Sequence, residues 1–169
     1  MRKVLFIALL FFSCQHEEFH KKSPYDFASQ QQLSYLSKFS AFKDSLKLPV
    51  KNNSVTQLNS NYQRWAIQYW KGNPQINKWL LKVKDINSDD TAIFFTLVDP
   101  SVPISLVSSA RTNSVNYNTI QKAGENAFVL ATGSIKSSPS FQNANDSIFS
   151  GVYLEAVFDK IVDMKDSVQ

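Results

Sequence analysis

Few residues in this chain could do chemistry. There is one cysteine, Cys14, and there are two histidines, His16 and His20, and all three fall within the first twenty positions. Everything downstream must work with carboxylates, amines, hydroxyls and aromatic rings. A Ser-His-Asp triad or a Cys-His pair cannot be assembled there. A zinc site built on His or Cys is excluded for the same reason. His16, Glu17, Glu18 and His20 have the right atoms to chelate a metal transiently, but a polar run without periodicity reads first as a solvated linker.

The carboxylates are more widely spread. Asp89 and Asp90 sit between two apolar runs, where Asp serves turn geometry. Together with Asp99 they could hold calcium weakly, although the EF-hand spacing is absent. Glu155, Asp159 and Asp163 follow at intervals of four. On a strand, even spacing puts all three on one face, and solvent is its natural neighbour. A glycan hydrolase needs two carboxyls flanking a cleft, one with a raised pKa. Asp85, Asp89, Asp90, Asp99 and Glu155 are the candidates for such a pair. The 4 glycines are isolated from one another, so no phosphate-cradling loop exists and nucleotide enzymes are set aside. No resident cofactor is implied.

The placement of Cys14 gives the strongest single signal. Arg2 and Lys3 precede an apolar run over 4–12, which is far short of the roughly 20 residues that a spanning helix needs. A basic start, a short apolar run and the small residue Ser13 make a secretory signal peptide. A lone cysteine is ordinarily a buried core residue, but this one directly follows the apolar run. The stretch Leu10-Phe11-Phe12-Ser13-Cys14 resembles the lipobox of bacterial lipoproteins, matching at Ser13 and Cys14 and departing at Phe11, where Leu is usual. The loosened form is similar to lipoboxes of Bacteroidota or spirochaetes. The resemblance implies cleavage before Cys14 and a covalent diacylglycerol and fatty acyl (palmitate-like) lipid on Cys14. Gln15, His16, Glu17 and Glu18 resemble the acidic tether that follows the lipidated cysteine in surface-exported lipoproteins of Bacteroidota. Position 15 is not Asp, so the inner-membrane retention signal is missing and an outer-membrane anchor is expected. At about 0.8 kcal/mol per buried methylene, several acyl chains make such an anchor effectively permanent.

With 43% hydrophobic and 19% charged residues, the remainder has enough apolar surface for a core. Removing Arg2 and Lys3 leaves 16 basic against 14 acidic residues. The charge is uneven: residues 15–73 carry eight Lys/Arg against four acids, and 74–169 carry eight against ten. Four segments follow: a signal peptide over 1–13, the lipidated cysteine and tether over 14–22, a helical segment over 23–73 and a β-rich domain over 74–164. In the helical segment, Ser23 and Pro24 read as an N-cap and first helical position. Tyr35, Phe39, Phe42 and Leu46 form one helical stripe, and Leu58, Tyr62, Trp65 and Tyr69 form another. Both stripes read as core-facing rather than as a ligand platform. Ser54 is a candidate cap for the second helix, and Gly72 a left-handed cap at its end.

After Pro74 the period changes to two. Strands are expected over 76–86, 91–98, 104–108, 127–135 and 148–162, with a short helix near Tyr117 and Ile120 and a polar loop over 136–146. The fold expected is therefore α+β: N-terminal amphipathic helices followed by a five-stranded antiparallel barrel in the order β-β-β-α-β-β. That is the element order of the OB-fold. The run Phe128-Val129-Leu130-Ala131-Thr132-Gly133-Ser134-Ile135, with Trp79 before it and Tyr153-Leu154-Glu155 after it, resembles small OB-fold domains of exported bacterial proteins. A generic mixed antiparallel sheet is the competing architecture. A net-acidic barrel in an exported protein argues against nucleic acid as partner. Trp65, Trp70 and Trp79 cluster where helices meet sheet, fastening the two together, with ligand binding as a secondary role.

Three functions compete. One is a non-enzymatic, lipid-anchored envelope protein that presents a β-rich domain to a protein or cell-wall component. Another is a carboxylate-dependent glycan hydrolase. The last is a carrier or inhibitor module, which requires an apolar cavity lined by Phe94, Phe128 and Phe158.

Overall fold

The computed structural model describes residues 24–47, 52–142 and 148–166. Pro24–Phe27 form a single 3-10 turn, and the first helix, α1, runs Gln30–Ser45. Its cap is Ser29, whose hydroxyl accepts from the Gln32 backbone N–H at 3.3 Å. The helix start expected at Ser23-Pro24 is thus displaced: Pro24 opens the 3-10 turn instead, and Ser23 lies outside the described residues. Helix α2 spans Asn52–Gly72, so Ser54 lies within it rather than capping it. Gly72 is its last residue and does not adopt a left-handed φ. That conformation belongs to Gly124, at φ 75, which follows helix α3 (Val115–Ala123) and is a position where a Cβ would be strained.

Six strands follow the helical pair: β1 (Gln75–Ser88), β2 (Ala92–Asp99), β3 (Ile104–Arg111), β4 (Phe128–Ile135), β5 (Ser140–Gln142) and β6 (Gly151–Asp163), with α3 between β3 and β4. The architecture is mixed α+β. Two expectations need correcting. The loop over 136–146 contains a strand, β5, which pairs with the start of β6, so among the described residues the sheet has six strands and not five. Nor is the sheet wholly antiparallel, because β3 and β6 run parallel, Ile104 opposite Val152 through Val107 opposite Glu155. The remaining pairs, β1–β2, β2–β3, β1–β4, β4–β6 and β5–β6, are antiparallel. Following neighbours from β1 through β2, β3, β6 and β4 leads back to β1.

Strong curvature has local causes. Register shifts interrupt β1 between Ile76 and Trp79, where Lys78 takes φ 49, and again between Val83 and Asp85. Such bulges bend a strand and sharpen its twist. A third shift, at Thr132/Gly133, falls where β4 crosses β6. A Cβ on Gly133 would overlap the Val157 carbonyl and approach the Phe158 Cα to 2.7 Å, so only glycine permits this crossing.

That bulge also inverts the phase of β6. Val152, Leu154, Ala156 and Phe158 face inward as period two requires, but opposite Gly133 the strand carries the extra residue Asp159. Beyond it, Ile161 and Asp163 are inward. The expectation that Glu155, Asp159 and Asp163 share one solvent face is therefore wrong. Glu155 and Asp159 are exposed, while Asp163 is buried and accepts from the Lys165 N–H at 3.0 Å.

One core runs through helices and sheet. Trp79, Leu81, Ile93, Phe95, Leu97, Leu106, Val129 and Leu154 fill the sheet interior, and Tyr35, Phe39, Tyr62, Ala66 and Trp70 continue it into α1 and α2. The expected helical stripes do face this core, with Phe42, Leu46, Leu58, Trp65 and Tyr69 packed at its margin. The helices sit at one end of the sheet, against the start of β1, the end of β2 and the approach to β6. The polar contacts show this. The buried Gln32 amide accepts from Leu80 N–H at 2.7 Å and donates to Leu80 C=O at 2.8 Å and to Asp99 at 2.7 Å. It occupies the edge of β1 that lies beyond the last β2 pair, Lys82 opposite Val98. Gln31 beside it bonds Gln75 C=O, Asn77 N–H and the Trp79 indole. From α2, Asn59 and Gln63 reach Ser150. Helix α3 lies against β6, where the Asn116 amide bonds the Phe158 carbonyl and the Ile161 N–H.

Candidate binding surfaces

Cys14, Gln15, His16, Glu17, Glu18 and His20 all lie outside the described residues. The three tryptophans do come together, around Tyr35. Its ring is 4.8 Å from Trp65, 5.6 Å from Trp70 and 5.6 Å from Trp79, and Trp70 and Trp79 are 5.2 Å apart. Pairs of this kind contribute about 0.5–1.5 kcal/mol beyond the area they bury. Trp79 is 0% and Trp70 2% exposed, so neither offers a face on which a ligand could stack. The cluster joins helix to sheet. Its hydroxyls pay for this in solvation. Tyr35 and Tyr62 are buried close enough to perturb each other, yet among the described residues neither hydroxyl, nor the Trp70 indole N–H, has a partner in full hydrogen-bond geometry. Burial, with a smaller contribution from the Tyr62 charge, holds Tyr35 well above the usual phenol range. Burial pushes Tyr62 up to about 12 and raises Tyr69 as well.

The acids do not converge. Asp85, Asp89 and Asp90 are exposed around the β1–β2 connection. Asp89 accepts from the Thr91 hydroxyl, the Thr91 N–H and the Ala92 N–H, which hold its carboxyl below the usual range. Asp99 is buried, binding Gln32 and the Ser101 N–H at 2.8 Å. Glu155 lines a different, open groove of about 380 Å³ with Val107, Ser137, Ser138 and Tyr153. No two of these five acids line any one of the described pockets. Among the described residues no group of three His, Cys, Asp or Glu side chains could hold a metal ion.

The cavity expected behind Phe94, Phe128 and Phe158 is not formed among the described residues. Phe94 pairs opposite Asn87 and Ser109 on the outer face and is 48% exposed, whereas Phe158 is buried and stacks on Phe95 at 6.1 Å. Period two decides this: Ile93, Phe95, Leu97 and Asp99 point inward, so Phe94 must point out.

What the fold leaves exposed is an apolar stripe across the outside of β2, β3 and β6. Val107 lies opposite Thr96 on β2 and Glu155 on β6, one step diagonal from Phe94, and Val157 stands further along β6. All three are exposed, and Ser105, Ser109, Thr96 and Tyr153 surround them. The sequence does carry a signal for this surface, since the run from Thr91 to Val98 is apolar on both faces. A second concavity of about 440 Å³ lies between α1 and the β2–β3 turn, lined by Phe39, Lys43, Leu46, Val102 and Phe149. A third, of about 500 Å³, lies beside the C-terminal end of α2. No helix among the described residues is long and apolar enough to cross a membrane.

No family model matches this chain. Likewise, no curated protein and no solved structure matches it.

Proposed function

We propose that this chain is a non-enzymatic, lipid-anchored protein of the cell envelope, held in the outer membrane through Cys14 and presenting a small OB-type barrel to a protein or cell-wall partner. The cyclic pairing of β1, β2, β3, β6 and β4, with α3 lying between β3 and β4, supports the barrel reading. The barrel is filled by side chains, with α1 and α2 against one end and α3 against β6, so it works from its outside. The observation that carries the binding role is the exposed stripe of Phe94, Val107 and Val157 on the strand face that such barrels use for recognition. The anchor rests on the sequence around Cys14.

Two experiments test this. Metabolic labelling with an alkyne fatty acid should mark the wild type and not Cys14→Ala; label on both or on neither removes the anchor. A photo-crosslinking residue at position 94 or 107 should give one discrete adduct on intact cells, and the same residue at Asn118 on α3 should give none. Equal, diffuse labelling from both places would remove the binding face.

A further inference from the structure

The third concavity has a composition that the binding face lacks. Its walls are Lys71 at the end of α2 and Lys136 after β4, with the hydroxyls of Ser137 and Ser138, over a floor of Trp70 and Ile135. Ile67, 43% exposed, stands at its rim. Arg64, Ile67 and Lys71 follow at spacings of three and four, one face of α2, and no carboxylate occurs in that helix. Among the described residues, neither Lys71, Lys136 nor Arg64 has an ion-pair partner. Glu155 lies opposite Lys136, whose N–H donates to the Glu155 carbonyl at 2.8 Å, and its own N–H donates to the Ser137 hydroxyl at 2.9 Å, while the residue lines the adjoining groove that shares Ser137 and Ser138. Cations around an apolar floor, with an exposed aliphatic side chain at the rim, suit an anionic head group that remains attached to a hydrocarbon surface.

The path of the chain points the same way. The turn Pro24–Phe27 leads into α1, whose Gln31 bonds the Gln75 carbonyl and receives the Tyr69 hydroxyl at 3.4 Å. Pro74, beside Gln75, lines the concavity and accepts from the Ile135 N–H at 2.7 Å. The N-terminal segment therefore joins the folded body at the end where Lys71 and Lys136 open.

We propose that this concavity docks the phosphate head group of an anionic phospholipid in the membrane to which the chain is tethered. It would fix the orientation of the barrel above the bilayer. The inference rests on the lipid-anchored reading, and its test is independent of that anchor. Full-length mature chain carrying Cys14→Ala is titrated with phosphatidylcholine vesicles and with vesicles that also contain phosphatidylglycerol. Binding to the anionic vesicles alone is expected. Each of Lys71→Gln and Lys136→Gln should weaken it about five-fold, and the pair about thirty-fold. The pair Arg111→Gln and Lys165→Gln, an equal charge change at the α3 end of the sheet, should leave it unchanged. Circular dichroism of each variant establishes folding. Equal losses from both pairs would mean diffuse charge and overturn the site. So would absent binding to anionic vesicles, or saturation by soluble glycerophosphate with no vesicle binding. If fatty-acid labelling fails while the Lys71/Lys136 dependence holds, the anchor falls and the site stands.

Discussion

Gln31 and Gln32 carry the same amide on adjacent positions of α1, and each makes three hydrogen bonds to the same stretch of β1 or its neighbours. They differ in burial: Gln32 is fully buried, while the Gln31 bonds are largely exposed. Truncating Gln32 to Ala strands the Leu80 N–H and C=O and removes one partner of the buried Asp99. A stranded buried group costs about 1–3 kcal/mol. Gln32→Ala should therefore destabilise the protein by about 3–5 kcal/mol. In Gln31→Ala water takes over the freed groups, and the loss should be about 0.5–1 kcal/mol. At about 2–4 °C per kcal/mol for a chain of this size, the melting temperature should drop by about 6–20 °C for Gln32→Ala and by about 1–4 °C for Gln31→Ala. Urea titration followed by tryptophan fluorescence would show a lower midpoint at unchanged slope. Gln32→Glu supplies a check on chemistry: its carboxylate would face Asp99, so its deficit should shrink as the pH falls through the carboxylate range. Equal effects of the two alanine variants, or a Gln32→Ala loss below about 1 kcal/mol, would refute the claim that burial of this amide docks the helices on the sheet.

Alkaline stability should reflect the buried phenols. Their pKa values are raised in the folded state, so their contribution is intact below about pH 10, the unfolded value, and is lost as pH rises toward about 12 for Tyr62. Tyrosinate absorbance should then appear together with loss of near-ultraviolet dichroism, and phenol ionisation before any unfolding would contradict the burial of Tyr35 and Tyr62. Gly133→Ala should cost about 1–3 kcal/mol through its clash with the β6 backbone, read as a lower urea midpoint; a neutral substitution would mean that the strands do not cross so closely. Trp79→Ala should cost about 3–5 kcal/mol, whereas Phe94→Ala should leave stability within about 1 kcal/mol and abolish the intact-cell adduct formed from position 107. Comparable destabilisation by the two would place Phe94 in the core.

Much of this protein follows from composition and period. Confinement of His and Cys to the first twenty residues removed whole classes of chemistry before any fold was considered. The helical spacing of Tyr35, Phe39 and Phe42, and of Leu58, Tyr62 and Trp65, determined which faces of α1 and α2 are buried, because a helix has one apolar stripe to hide. Alternation determined the inward sets of β2, β3 and β4. Tertiary structure decided what period cannot carry. Bulges at Lys78 and Asp159 change phase, and Asp163 is buried for that reason although spacing alone puts it with Glu155. The parallel pairing of β3 with β6 joins strands with α3, β4 and β5 between them, and no local signal encodes it. Gln32 reads as an ordinary helix-surface amide, yet it makes three buried hydrogen bonds, because its partner Leu80 lies 48 residues away on an edge that exists only once β2 has ended. Local sequence sets the faces of each element; the vacancies those faces must fill are created only when distant elements meet.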